Sequence, residues 1–172
     1  MTATFDTGSA ILYVLSDRCK LCPKDKTNYS PAGSSSFRGT GKRESQPYGS
    51  GSIAGEIAQD SVCFSSSSGD CIDNVSFIAV DKASDIANDR FGALVGLSPF
   101  NAESNPNLPS FISQSEKQFS FFLPKGDGSQ GKIVLGGYDL SQYANEGASD
   151  ADISWSNLVD DSWTIPMNGL KF

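Results

Sequence analysis

The sequence predicts an all-β fold in which most strands run antiparallel. Short apolar stretches of strand length, rich in β-branched and aromatic residues, alternate with clusters of Gly, Ser, Pro and Asp. The clearest stretches are residues 11–15, 75–80, 119–123 and 132–135. A glycine-rich stretch at 125–131 is typical of a loop between two antiparallel strands. Long helical periodicity is absent, and the best helix candidate is a short segment at 109–117 that begins with proline.

The length and composition indicate one folded domain with a sizeable core. The chain has 172 residues, of which 38% are apolar, so a second domain of similar size would not fit. No apolar run approaches the ~20 residues that cross a bilayer, so we expect no membrane span. The N-terminus lacks the basic start and apolar stretch of a signal peptide. We therefore expect the chain to begin inside a folded domain, or to be a processed or incomplete product.

The charge balance and the lack of histidine exclude several classes of function. The formal charge is −7, from 13 basic and 20 acidic residues, and an acidic surface repels nucleic acid. With no histidine in the chain, Ser-His and Cys-His nucleophiles and imidazole zinc sites are excluded. We expect no metal and no cofactor. Catalysis in this chain has to rest on carboxylates, hydroxyls, amines or thiols.

The cysteine spacing favours two local disulfides. The four cysteines are Cys19, Cys22, Cys63 and Cys71, and the pairs Cys19–Cys22 and Cys63–Cys71 are one of three possible connectivities. The alternatives are a four-thiolate zinc site, for which the second spacing is too long, and a redox Cys-x-x-Cys, which lacks a βαβ context. Disulfides indicate an oxidising compartment. Two Asn-x-Ser sequons, beginning at Asn28 and Asn74, agree with that compartment.

The segment Asp6-Thr7-Gly8-Ser9 combines residue types that suit acid–base chemistry. Gly8 allows a tight turn and the close approach of another chain to the Asp6 carboxylate. The Thr7 hydroxyl can donate a hydrogen bond to a partner loop, and the Ser9 hydroxyl can hydrogen-bond the carboxylate and help to keep it ionised. An Asp held in this way can act as a base toward water. Asp and Gly are also ordinary turn residues, so this segment indicates a catalytic site only together with the sequence around it.

That context resembles the pepsin-like aspartic endopeptidases. Residues 5–14 resemble the family's first active-site segment, Phe-Asp-Thr-Gly-Ser-Ser-Asn-Leu-Trp-Val, and residues 48–55 resemble its flap, Tyr-Gly-Thr/Ser-Gly-Ser-x-x-Gly. Other segments match the family in order, at residues 19–22, 29–37, 59–62, 91–99, 119–123, 134–139, 153–155 and 162–165. The resemblance covers nearly the whole chain. It implies a pepsin-like acid protease lobe, built from antiparallel sheets or a partly closed barrel with one or two short helices.

The resemblance also implies a mechanism. In this family two Asp side chains, one from each lobe, face each other around a water molecule and share a proton. The ionised member draws a proton from the water, which attacks the peptide carbonyl, while the protonated member donates to the carbonyl oxygen. Asp6 would be one member of this pair. The substrate would be a polypeptide, and the compartment would be the secretory pathway, the exterior or an acidic lysosome- or vacuole-like organelle.

Roles for neighbouring residues follow from the same resemblance. Thr7 would form the hydrogen bond between the lobes, Gly96 would shape the loop that braces Asp6, and Tyr13 would take the place of the family's Trp in supporting the flap. Tyr48 would lie on the flap. The residues expected to bind the substrate backbone are Gly49, Ser50 and Gly51. A second set either lines an apolar pocket or belongs to the core: Ile11, Phe91, Leu94 and Phe111.

The chain departs from the family pattern in two ways. No second Asp-Thr-Gly or Asp-Ser-Gly follows Gly8, and the family's opening strands do not precede Phe5. We therefore expect residues 1–172 to be an N-terminal lobe without its first strands and without the C-terminal lobe. A single carboxylate cannot perform the proton transfers that the family divides between two Asp side chains. The chain is then a fragment of a two-lobe enzyme, which we favour, or it pairs with itself, or it is an inactive binding or inhibitor protein with this fold.

Overall fold

A six-stranded sheet forms the larger part of the protein. The structure is a computed structural model that describes residues 1–20, 22, 28–49, 51–64, 71–85, 91–99, 107–115, 117–126, 128 and 130–169. The chain divides into two compact units, Met1–Gln114 and Ser115–Phe172. The six-stranded sheet belongs to the first unit, and a two-stranded sheet belongs to the second. Among the residues described, no helix has the length and apolar character that crossing a membrane requires.

The large sheet is mixed. Its strands are β1 (Ala3–Asp6), β2 (Leu12–Leu15), β3 (Arg38–Tyr48), β4 (Gly51–Cys63), β5 (Cys71–Ser84) and β6 (Ala93–Gly96). They lie in the order β1-β6-β2-β5-β4-β3, with β1–β6 and β2–β5 parallel and the other pairs antiparallel. The all-β prediction is confirmed, but the sheet is not purely antiparallel, and the described strands form no closed barrel. Parallel neighbours need a long connection, and long stretches of chain do separate β1 from β6 and β2 from β5.

The helices are shorter than the sequence suggested. The predicted helix at 109–117 is the four-residue α1 (Phe111–Gln114). Lys117 has a left-handed φ of 56°, which is incompatible with a helix continuing through that residue. Gln114 is instead tied to β5, because its Oε1 accepts a hydrogen bond from the Ser76 N–H at 2.6 Å. Short 3₁₀ turns lie at Pro31–Gly33 and Asp150–Asp152.

The second unit is built on an antiparallel hairpin. Strands β7 (Phe119–Phe122) and β8 (Lys132–Leu135) pair with Phe119 opposite Leu135, which confirms the predicted loop between two antiparallel strands. The short helix α2 (Leu140–Tyr143) follows, capped by Asp139, whose side chain accepts from the Gln142 N–H at 3.1 Å. Aromatic side chains line a cavity of about 600 Å³ in this unit.

One face of the large sheet carries the main core. Because side chains alternate along a strand, Tyr13 and Leu15 of β2 point to the same face. They pack there with apolar residues of β4, β5 and β6, together with the Cys19–Cys22 disulfide. The second disulfide, Cys63–Cys71, joins directly opposed residues of β4 and β5. Both predicted disulfides are therefore present, and the four sulfur atoms are used in pairs.

The opposite face carries a buried charge. Asp60 is only 5% exposed, and it lines a cavity of about 420 Å³ together with Tyr29 and Phe77. The Tyr29 hydroxyl donates to Asp60 Oδ2 at 2.5 Å, Ser36 Oγ donates to Oδ1, and the Ser61 N–H donates to Oδ1 at 2.8 Å. Burial raises the pKa of Asp60, but these hydrogen bonds outweigh it and hold the pKa below its ordinary value of 3.8. The network fastens the turn before β3 to the sheet.

We expect Asp60→Asn to destabilise the protein by about 1–3 kcal/mol at pH 7, because a buried hydrogen-bonded anion is lost. The folded pKa lies below the unfolded one, so ionised Asp60 stabilises the fold above the unfolded pKa. That contribution disappears as the pH falls through the folded pKa. Urea unfolding at pH 7 and pH 2 should therefore show a smaller deficit at the lower pH. The exposed Asp73→Asn is the matched control, and an equal deficit at both pH values would contradict the prediction.

Candidate active site

Asp6 is the last residue of β1 and lies opposite Gly96 of β6. Its side chain is partly buried, and the Gly8 N–H donates to Asp6 Oδ1 at 2.9 Å. Its carbonyl accepts a hydrogen bond from the Leu97 N–H at 2.7 Å. The strand and the turn after it thus fix both the backbone and the carboxylate of Asp6. Thr7, which follows directly, is exposed.

Gly96 lies beneath the loop that connects Asp6 to β2. Since β6 lies between β1 and β2, this loop has to cross the end of β6. A Cβ atom on Gly96 would lie 2.5 Å from the Ala10 carbonyl carbon and 2.6 Å from the Ile11 nitrogen. The Gly96 N–H donates to the Ile11 carbonyl at 3.0 Å, and the Ser98 N–H donates to the Ser9 carbonyl at 2.8 Å. Only glycine allows the two backbones this approach.

Tyr48 approaches the Asp6 turn from the β3–β4 hairpin. It ends β3 and pairs with Gly51, the first residue of β4. Its ring meets the Tyr13 ring edge-on, with centroids 5.6 Å apart. Burial raises the pKa of Tyr48 to about 12, the negative charge of Asp6 adds to this rise, and the nearby Ser9 hydroxyl opposes it. The structure therefore brings Asp6, Ser9, Tyr13 and Tyr48 together.

The Ser9 hydroxyl differs from the sequence expectation. Its Oγ is buried and is outside hydrogen-bond geometry with every described residue, although it lies close enough to Tyr48 to lower that pKa. The predicted hydrogen bond from the Ser9 hydroxyl to the Asp6 carboxylate is absent. The Gly8 backbone N–H donates to that carboxylate instead. The turn places the amide of Gly8 at the carboxylate and leaves Ser9 beside Tyr48.

The hairpin tip is close to the end of β5. Gly49 is exposed, with open space around its Cβ direction, whereas a Cβ on Gly51 would lie 2.2 Å from the Ser84 carbonyl oxygen. Ser50, also predicted to bind substrate, is outside the described residues. Farther from the tip, Arg43 of β3 spans β4 and forms a two-pronged ion pair with Asp81 of β5, with both N–O distances 2.7 Å. The base of the hairpin is thus held to the sheet.

The predicted pocket residues do not all lie together. Ile11 and Leu94 are buried in the cluster around Tyr13, and Phe91 is partly buried against it. The Phe111 N–H donates to the Ala10 carbonyl at 2.7 Å, but its buried side chain lies outside that cluster and packs edge-on against Phe64, with centroids 5.9 Å apart. Leu108, which the sequence analysis missed, is buried in the Tyr13 cluster. Its only sequence signal is an isolated leucine before a proline.

Among the residues that the structure describes, no three or more acidic or cysteine side chains are grouped so that they could hold a metal ion. The four cysteine sulfurs are bonded to each other in pairs. The four-thiolate zinc alternative is therefore wrong for this structure.

The site is a partly buried carboxylate at a strand end, approached by a hairpin that carries a tyrosine. A family model, "Eukaryotic aspartyl protease", matches residues 1–172, and the chain belongs to this family. It is an enzyme family whose members act on polypeptides.

Several curated proteins are similar to this chain. Procardosin-A of Cynara cardunculus is 33% identical over 156 residues, covering 84% of this chain and 30% of its own length. Pepsin A of Sus scrofa is 28% identical over 98% of this chain and 44% of its own length. Rhizopuspepsin of Rhizopus chinensis is 32% identical over 94% of this chain and 44% of its own length. The chain therefore spans less than half the length of these relatives.

Proposed function

We propose that the chain is the N-terminal lobe of an aspartic endopeptidase and that Asp6 is one of its two catalytic carboxylates. The observation that carries this proposal is the convergence of Asp6 and Tyr48, which lie on β1 and on the β3–β4 hairpin. The electrostatic effect of Asp6 on the Tyr48 pKa supports their proximity. The match to relatives over less than half of their length supports a partner lobe that supplies the second carboxylate.

In the proposed mechanism Asp6 and its opposed partner share one proton. Two carboxylates that face each other around one water molecule repel each other when both are ionised, so one of them keeps a proton. The ionised member removes a proton from water as the oxygen attacks the peptide carbonyl. The protonated member donates to the carbonyl oxygen, which gives a tetrahedral intermediate. As this collapses, the carboxyl that took the proton from water passes it to the departing nitrogen, the other carboxylate takes a proton back from a hydroxyl, and the amine leaves. The Gly8 N–H holds the Asp6 carboxylate in a fixed orientation for these transfers.

The hairpin would close over the substrate. Tyr48, Gly49 and Gly51 lie at its end, where glycine allows a peptide backbone to approach closely, and Ser50 would contact the same backbone. Tyr13 supports this tip through its ring contact with Tyr48. The Arg43–Asp81 ion pair also holds β3 of the hairpin to β5.

Other parts of the site have narrower proposed roles. Thr7 is exposed next to Asp6, so its hydroxyl is available for a hydrogen bond to the partner lobe. Gly96 braces the loop after Asp6 by its contact with residues 10 and 11. Ile11, Leu94 and Phe91 would support an apolar subsite below the hairpin. Phe111 is assigned to the core, because it packs against Phe64.

The two closed disulfides support passage through an oxidising compartment. We therefore place the protein in the secretory pathway, with its working site outside the cell or in an acidic lysosome- or vacuole-like organelle. The acidic composition and the shared-proton mechanism both favour activity at low pH.

The test is to express the chain alone and together with the lobe encoded downstream in its gene. We expect cleavage of an acid-denatured protein only when both lobes are present, and we expect a statine-type inhibitor to block it. Cleavage that the inhibitor does not affect would contradict the aspartic mechanism. No cleavage with both lobes folded would instead favour an inactive binding protein.

A further inference from the structure

The two Asn-x-Ser sequons occupy different environments. Asn74 of β5 is exposed, whereas Asn28 is partly buried with its Oδ1 enclosed and without a hydrogen-bond partner among the described residues. A carbohydrate on an asparagine needs a free path from Nδ2 to solvent in the folded protein. The structure offers this path at Asn74 and restricts it at Asn28. We propose that Asn74 is a site of N-linked glycosylation and that Asn28 is not.

A bulge directs the Asn74 side chain outward. The pairing between β4 and β5 shifts register between Asp60 and Val62, and Asn74 has a left-handed φ of 56°. The shift leaves two consecutive exposed residues, Asp73 and Asn74, before the buried Val75. Asparagine adopts this backbone conformation more readily than most residues. The Asn74 side chain therefore points to solvent at a place where the pairing between β4 and β5 is already interrupted.

The first sequon is enclosed by its neighbours. The Tyr29 N–H donates to the Leu15 carbonyl at 2.9 Å, and the Tyr29 carbonyl accepts from the Asp17 N–H at 2.8 Å. The Tyr29 ring also packs edge-on against Phe77, with centroids 5.7 Å apart. Asn28 precedes this packed residue and its own Oδ1 is enclosed, so a carbohydrate on its amide would have to open that enclosure.

The reaction requires a polyprenyl-pyrophosphate-linked oligosaccharide as donor and a transferase of the secretory pathway. Asn74 Nδ2 forms a bond to C1 of the first sugar, and the bond from C1 to the pyrophosphate oxygen breaks. The pyrophosphate leaves with the electron pair, and the amide nitrogen loses one proton to the enzyme's base. Ser76 is buried in the folded protein, so transfer to Asn74 has to precede the folding of β5. A chain that received a carbohydrate at Asn28 before folding could not enclose that amide, so we expect the folded, secreted protein to carry none there.

The carbohydrate would lie far from the substrate. Asn74 lies near the start of β5, and Ser84 at the other end pairs with Ser52 next to the hairpin tip. Ten residues of strand separate them, which corresponds to roughly 30 Å. Glycosylation at Asn74 is therefore compatible with the proposed active site. The inference rests on the proposed passage through the secretory pathway, and it is independent of catalysis.

The experiment is secretion of the full chain from a eukaryotic host behind a signal peptide, followed by peptide-N-glycosidase treatment and mass mapping of the acceptor. We expect one mobility shift, carried by Asn74. It should be lost in Asn74→Asp, which keeps a residue suited to the left-handed φ, and retained in Asn28→Asp.

If a variant fails to fold, mass mapping of the wild-type protein still identifies which asparagine carries the carbohydrate. A secreted chain with both disulfides closed and no carbohydrate would overturn the proposal while leaving the proposed compartment intact. Carbohydrate on Asn28, alone or in addition to Asn74, would also overturn it. A chain that is not oxidised on secretion would instead count against the compartment, and the glycosylation proposal would fall with it.

Discussion

Replacing Asp6 by asparagine in the two-lobe protein is expected to lower kcat by between about 10² and 10⁴-fold. Asparagine has nearly the same shape and can still accept the Gly8 N–H, but it cannot exchange a proton with water. The loss should therefore fall on kcat, with little change in KM or in the unfolding midpoint, because the Asp6 side chain is only partly buried. Steady-state kinetics on a peptide substrate measures this effect.

The exposed Asp161→Asn serves as the control for loss of one negative charge. An Asp6→Asn enzyme that keeps more than half of the wild-type kcat would place the chemistry elsewhere. A variant that loses its fold would be recognised by its unfolding curve.

Gly96→Ala is expected to destabilise the first unit by about 3 kcal/mol, because the new methyl group meets backbone atoms that cannot move aside independently. Contacts of 2.5–2.7 Å with residues 10 and 11 would push the loop away from β6 and break the Gly96 N–H bond to Ile11. Equilibrium unfolding in denaturant measures the stability. We also expect the Tyr48 resonances to shift, since the loop carries Ser9 toward that ring.

Gly137→Ala is the matched control, because a Cβ at Gly137 meets nothing within 4 Å. It should change the free energy of unfolding by less than about 0.5 kcal/mol. A Gly96→Ala protein as stable as this control would show that the loop does not depend on the close backbone approach.

Local patterns in the sequence predicted part of the site. The Asp-Thr-Gly-Ser segment and the Tyr-Gly-Ser-Gly segment pointed to Asp6 and Tyr48, and the structure places these two residues near each other. The short apolar runs predicted β2, β7 and β8 because strand length and residue type are local properties. The disulfides were predicted by spacing alone. Whether Asp6 is catalytic remains a prediction.

Features that depend on distant parts of the chain could not be predicted. The insertion of β6 between β1 and β2 joins segments far apart in sequence, and it makes the sheet mixed. The Ser9 hydroxyl is buried near Tyr48, which a distant element supplies. Phe111 belongs to an apolar segment like its neighbours, and only tertiary packing separates it from Ile11 and Leu94. In the sequence Asp60 is indistinguishable from an ordinary polar strand residue. Its role depends on the Tyr29 and Ser36 hydroxyls, which only the fold brings to it.

The insertion of β6 has a consequence for biosynthesis. Ala3 pairs with Ala93, so the turn after Asp6 acquires its support only after a very long stretch of chain has closed. Contacts of such high sequence separation form slowly and late in folding. A nascent chain on the ribosome would therefore carry Asp6 without the support of Gly96 until most of the sheet had assembled.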